Sequence, residues 1–130
     1  MVKIFVVEDE PSIQLLYKKI LTLKGFELAG IANDGEEAVS MFKSFLKKPK
    51  IILMDHRMPT KNGIEASKEI LQINGDSKII FLSADDSIKE EALSIGAFSF
   101  RDKPFTIKQL IDDINRAINF TCYNNLEIRH

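Results

Sequence analysis

The chain has 130 residues, 45% hydrophobic and 28% charged, the size and balance of one globular domain rather than of a disordered or membrane-embedded chain. Eighteen Lys and Arg against nineteen Asp and Glu leave a formal charge of -1, which gives no general reason to expect binding to nucleic acid or an anionic membrane. The lone Cys122 excludes an intramolecular disulfide. No run approaches the roughly 20 apolar residues of a spanning helix, and the first residues lead into an apolar strand without a signal-peptide pattern, so a cytoplasmic location is expected.

In chain order, the spacing predicts β1 over 2–8, α1 over 11–24, β2 over 27–32, α2 over 35–47 and β3 over 50–54. It continues with α3 over 63–74, β4 over 78–82, α4 over 87–95, β5 over 97–101 and α5 over 106–119. The runs Ile4 to Val7, Ile51 to Met54 and Ile79 to Leu82 lack the alternation of a half-wet sheet and read as strands covered on both faces. Ile13, Leu16, Tyr17, Ile20 and Leu21 follow a helical stripe, and Ile107, Leu110, Ile111, Ile114 and Ile118 follow another. Pro11 suits the first turn of a helix, Asp34-Gly35 a helix start, and Gly25, Gly75 and Gly96 helix ends. Alternating strands and helices predict a three-layer, doubly wound (βα)5 fold of class α/β. Its parallel sheet has five strands, and the order considered is 2-1-3-4-5. Residues 1–119 form the expected domain and 120–130 a frayed C-terminal tail.

Ligands of such sheets bind beyond the carboxyl ends of the strands, where strand order reverses. Those ends carry Glu8, Asp9 and Glu10 after β1, Asp55 after β3, Ser83, Ala84 and Asp85 after β4, and Lys103-Pro104 after β5. With β1 beside β3, strands about 4.8 Å apart bring Glu8, Asp9 and Asp55 to one opening. Crowded carboxylates repel, and a hard divalent cation, Mg²⁺ foremost, relieves the repulsion. Ser83 offers a hydrogen-bond donor, Lys103 a compact positive charge, and Asp55 a carboxylate nucleophile for phosphoryl chemistry. Each residue also has a plain alternative: Asp9 as a helix cap, Glu8 and Glu10 as first-turn acids, Asp55 as a turn cap, Lys103 as surface charge.

The stretches Val6-Val7-Glu8-Asp9-Glu10-Pro11, Leu53-Met54-Asp55-His56-Arg57-Met58-Pro59 with Asn62-Gly63, Phe81-Leu82-Ser83-Ala84 and Lys103-Pro104-Phe105 together resemble the receiver domain of two-component response regulators. The resemblance runs from about Lys3 to Asn119. It implies that Glu8, Asp9, Asp55 and the Arg57 backbone carbonyl hold Mg²⁺, Glu8 often through water. Asp55 is then the phosphoacceptor, Ser83 and Lys103 contact the phosphoryl group, and the Lys103-Pro104 bond is cis. Phe100 stands where the family commonly has a switch Tyr, without its hydroxyl. Arg57 and Asp85 flank the phosphate in family members, and here they carry opposite charges.

The implied function is a stand-alone receiver phosphorylated by a sensor histidine kinase or histidine phosphotransfer protein. It would signal through a target docked on α4-β5-α5, as a monomer or weak dimer, with no direct contact with nucleic acid or membrane and no metabolic reaction. A flavodoxin-like electron carrier fits poorly, because Glu8-Asp9-Glu10 would repel a cofactor phosphate. A phosphohydrolase with its nucleophile after β1 fits poorly as well, since the acceptor here follows β3.

Overall fold

The computed structural model describes residues 2–128, with side chains to residue 120. Its strands are β1 (Lys3–Val7), β2 (Glu27–Ala32), β3 (Ile51–Met54), β4 (Lys78–Ser83) and β5 (Ser99–Asp102). The helices are α1 (Pro11–Leu23), α2 (Gly35–Ser44), α3 (Gly63–Ile73), α4 (Lys89–Ser94) and α5 (Ile107–Ile128), with a 3-10 turn over Asp86–Ile88 ahead of α4. The strands pair parallel in the order β2-β1-β3-β4-β5.

The uninterrupted apolar runs occupy the three interior positions of the sheet. β3 is buried throughout, and β1 and β4 are buried after their first residue, whereas the edge strands β2 and β5 are only partly covered. Because successive strand residues face opposite ways, the sheet builds two cores. Phe5, Val7, Ile52, Met54, Ile79 and Phe81 join Phe42 of α2, Ile70 of α3 and Ala92 of α4. Ile4, Val6, Leu53, Ile80 and Leu82 join Tyr17 and Leu21 of α1 and Leu110 and Ile114 of α5. Each fully buried Leu, Ile or Phe contributes roughly 1.5–3 kcal/mol of transfer free energy, so both layers hold the sheet firmly.

Local chemistry sets several helix starts. The Asp34 carboxylate accepts the Glu37 N–H at 2.8 Å to open α2. Asn62 and Glu65 satisfy each other's backbone N–H groups in a capping box at α3, at 2.9 and 3.2 Å. Thr106 and Gln109 form the same reciprocal pair ahead of α5, at 3.1 and 3.0 Å.

Several boundaries differ from expectation. α2 stops at Ser44, and the Lys48 ammonium folds back onto the carbonyls of Phe42, Lys43 and Phe45 at 2.7, 2.9 and 2.7 Å. α1 is preceded by Glu10 with no side-chain cap, so Asp9 is not its cap. The α4 region opens as a 3-10 turn capped by Asp85, whose carboxylate accepts the Ser87 N–H at 3.1 Å. Gly25 and Gly96 adopt the left-handed backbone of helix stops (φ 83° and 111°), but α3 ends at extended Asn74 and Gly75 supplies no such turn. α5 continues to Ile128 rather than ending at residue 119, because Asn119 to Ile128 contains neither Gly nor Pro to stop it.

Candidate functional site

The site lies where strand order reverses, beyond the carboxyl ends of β1 and β3. The Glu8 N–H donates to Ala32 O and the Asp55 N–H to Val7 O, both at 3.0 Å, so each acid is fixed by a ladder bond at the last register of its strand. The Glu8 carboxylate points inward, with its side chain 2% exposed, and accepts the Glu10 N–H at 3.0 Å. Asp55 accepts the His56 N–H at 2.9 Å. One carboxylate oxygen from each of Glu8, Asp9 and Asp55 lies within 4.8 Å of the others. Lys103 Nζ sits 3.3 Å from Glu8 Oε1 and 3.9 Å from Asp55 Oδ1. Its backbone N–H donates to Ser83 O at 3.0 Å, and the Lys103-Pro104 bond is cis, as expected.

This opening is short of positive charge. Burial pushes the Glu8 carboxyl above the usual carboxylate range and the Asp55 charge adds to the effect, against relief from the Glu10 N–H and Lys103. Burial likewise pushes Asp55 up, opposed chiefly by Lys103. One ammonium shared among three carboxylates leaves oxygen donors of the kind a small hard cation takes.

The remaining sequence candidates surround the cluster. Ser83 is buried, and its Oγ accepts the Asp85 N–H at 3.1 Å, which leaves the hydroxyl proton free to donate. The exposed Arg57 guanidinium reaches the Asp85 carboxylate at 3.5 Å, so the pair considered from sequence does meet. Asp85 is held below the usual carboxylate range, mainly by hydrogen bonds from Ser87, with Arg57 contributing. Phe100 is half-buried and packs on the core layer of α2, α3 and α4 rather than on the acids.

Other residues of the site escaped sequence reasoning. Gln14 Nε2 donates to the Glu8 carbonyl at 2.5 Å and to Asn33 Oδ1 at 2.8 Å, and Asn33 in turn donates to Glu37. Tyr17, read only as part of an apolar stripe, is buried in a stack on Phe105, with ring centroids 6.5 Å apart. Its phenol is pushed well above the usual tyrosine range by burial and by the charges of Glu8 and Asp55. Thr60, in the loop after Asp55, has φ 70°, a strained backbone for a β-branched residue. A Cβ at Gly63 would collide with the Asp55 carbonyl oxygen, so the start of α3 can lie against the loop after β3 only with glycine there.

Fold and acidic opening together define a flavodoxin-like α/β domain of the CheY type. The chain belongs to the response regulator receiver domain family, whose pattern matches residues 4–115. It is therefore a receiver domain of two-component signalling, a signalling module and not a classical enzyme. It is 38% identical over 117 residues to the chemotaxis protein CheY of Thermotoga maritima, covering 88% of this chain and 96% of that protein. Among solved structures it resembles TrrA of T. maritima in complex with Mg²⁺-BeF, with a TM-score of 0.81 and 32% identity, covering 90% of this chain and 99% of that one. It also resembles the CheX-CheY-BeF3-Mg complex from Borrelia burgdorferi, with a TM-score of 0.86 and 25% identity, covering 90% and 89%. Among the described residues no helix is long and apolar enough to cross a membrane.

Proposed function

We propose that Asp55 is the phosphoacceptor of a cytoplasmic receiver occupying residues 1–119, charged by a phosphohistidine on a sensor histidine kinase or phosphotransfer protein. The observation that carries this reading is the convergence of the Glu8, Asp9 and Asp55 carboxylates within 4.8 Å, with Lys103 Nζ 3.9 Å from Asp55. A carboxylate oxygen of Asp55 attacks phosphorus, the bond from phosphorus to the histidine nitrogen breaks, and the imidazole leaves with that electron pair. Lys103 balances charge on the group in transfer, and the free Ser83 hydroxyl proton donates to a phosphoryl oxygen. Glu8, Asp9, Asp55 and the Arg57 carbonyl are suited to hold Mg²⁺, which when bound supplies the positive charge this opening lacks. The relatives solved with Mg²⁺-BeF support that assignment.

The output is a docking change rather than a product. Ser83, drawn toward the phosphoryl group, makes room for Phe100 to turn inward and alters the α4-β5-α5 face. A complete switch from about 1:99 to 99:1 would need roughly 5.5 kcal/mol of differential interaction, so a partial shift is expected. On that face Arg101 makes a two-pronged bond to buried Asp113, at 2.9 and 2.8 Å, and ties β5 to α5. A target protein reads the altered face; that a receiver of this family takes a protein partner in its BeF3-Mg form is supported by the CheX-CheY complex from Borrelia burgdorferi. Slow self-hydrolysis resets the domain, and the Arg57–Asp85 pair across the mouth hinders the attacking water. An exposed pair of this kind is worth about 1 kcal/mol or less, so replacing either residue by Ala should shorten the phosphoryl lifetime severalfold at most. Unchanged lifetimes in both variants would remove that role.

The direct test is incubation with acetyl phosphate, with and without Mg²⁺, read by intact mass. Wild type should gain one phosphoryl group only when Mg²⁺ is present, and Asp55→Asn should gain none. A wild type that stays unmodified under a phosphodonor, or an Asp55→Asn variant modified as readily, would reject the assignment.

A further inference from the structure

At the end of the sheet opposite the acids, the amino ends of the strands and the turns leading into them gather, among the described residues, Lys3, Lys24, Lys47, Lys48, Lys50 and Lys78 against only Glu27 and Asp76. A net charge of -1 thus conceals a molecule that is acidic at one end and basic at the other. At the basic end, Val2, Lys3, Lys47, Lys48, Pro49 and Lys50 line a recess of about 270 Å³. Lys48 is spent on the carbonyls that end α2 and on the Phe42 ring, 5.5 Å away. That removes the negative end of the helix from the recess. Among the described residues, Lys3, Lys47 and Lys50 make no ion pair. Beside them Leu46 is fully exposed, and Leu23, next to Lys24, is 85% exposed.

A solvated charged face explains the lysines but not the two leucines standing among them. We propose that this end is a docking surface for an acidic segment of a partner protein that sets carboxylates on Lys3, Lys47 and Lys50 and an apolar side chain against Leu46. Charge complementarity selects an acidic occupant. The recess selects a side chain over a bilayer, because a planar lipid surface cannot enter a concavity between β1 and the loop before β3. The surface lies away from the phosphoacceptor opening, so it would tether the domain while leaving Asp55 and the α4-β5-α5 face free.

The probe is a short fluorescein-labelled peptide rich in Asp and Glu with one leucine, titrated into the full chain at low ionic strength. Saturable anisotropy is expected, weakening as salt is raised. Amide shifts should centre on Val2, Lys3, Lys47, Lys48 and Lys50. The double variant Lys47→Glu, Lys50→Glu should bind at least tenfold more weakly, and Leu46→Ser more weakly too, both with unaltered circular dichroism and phosphorylation. Absence of saturable binding, shifts centred on Glu8 and Asp55 instead, or equal affinity in the double variant would overturn the proposal. So would a silent peptide alongside either pelleting of the protein by phosphatidylglycerol vesicles or self-association that the double variant abolishes.

Discussion

Tyr17 shows how one side chain can serve the packing and feel the site at once. Its ring fills the α1–α5 layer against Phe105, two residues beyond Lys103, while its phenol lies in the field of Glu8 and Asp55. Burial and those charges raise the phenol's pKa in the folded state, so above the ordinary tyrosine value of about 10 the unfolded chain loses its proton first. The unfolded state then binds fewer protons than the native one, and stability falls as pH rises past that value. Urea midpoints at about pH 9 and about pH 11 should therefore drop more for wild type than for Tyr17→Phe. Equal drops would show that the phenol is not held neutral by the fold. In the sequence this tyrosine was visible only as an apolar position, as was Gln14 only as a polar one. Their positions depend on what the tertiary fold sets beside them, whereas Glu8, Asp55 and Lys103 were legible because each directly follows a strand, and Asp9 because it follows Glu8.

Helix starts obey chemistry that can be read locally, and α3 carries the clearest case. Asn62 and Glu65 satisfy each other's backbone donors just where the loop after Asp55 must turn over Gly63. Asn62→Ala should cost about 1 kcal/mol, read as a lowered thermal midpoint, and Asn62→Ser should recover most of the loss. An unchanged midpoint in Asn62→Ala would mean that the cap is dispensable. Elements defined by strong periodicity were placed correctly by sequence, and the misplacements fall at ends where no local punctuation exists or where it misleads. α5 runs on for want of a breaker, and Gly75 looked like a stop while Asn74 ended α3 in an extended conformation. α4 itself starts at Lys89, two residues later than expected, because Asp85 caps a tight turn ahead of it.

At the scale of the molecule, a parallel doubly wound sheet follows from the strand–helix alternation and burial of the central strands from the solid apolar runs, whereas the order 2-1-3-4-5 is one arrangement considered and is fixed by the fold itself. Nor does the separation of charge between the two ends follow from the alternation, since it exists only once strand ends are gathered. The two cores make a quantitative prediction. Ile70→Ala on the α3 side and Ile114→Ala on the α5 side should each cost about 2–5 kcal/mol, because both side chains are completely buried. Their losses in denaturant midpoint free energy should add to within about 0.5 kcal/mol, since a layer of backbone lies between them. A coupling well above that would show that strain crosses the sheet.

If the losses add, the sheet behaves as a partition wall with one doorway, the carboxyl rim where residues serving both rooms meet. A change of charge in that doorway is announced on both sides of the wall, whereas a substitution in either room stays a private matter. A single added anion there would thus reach two helical layers that otherwise answer separately to substitution.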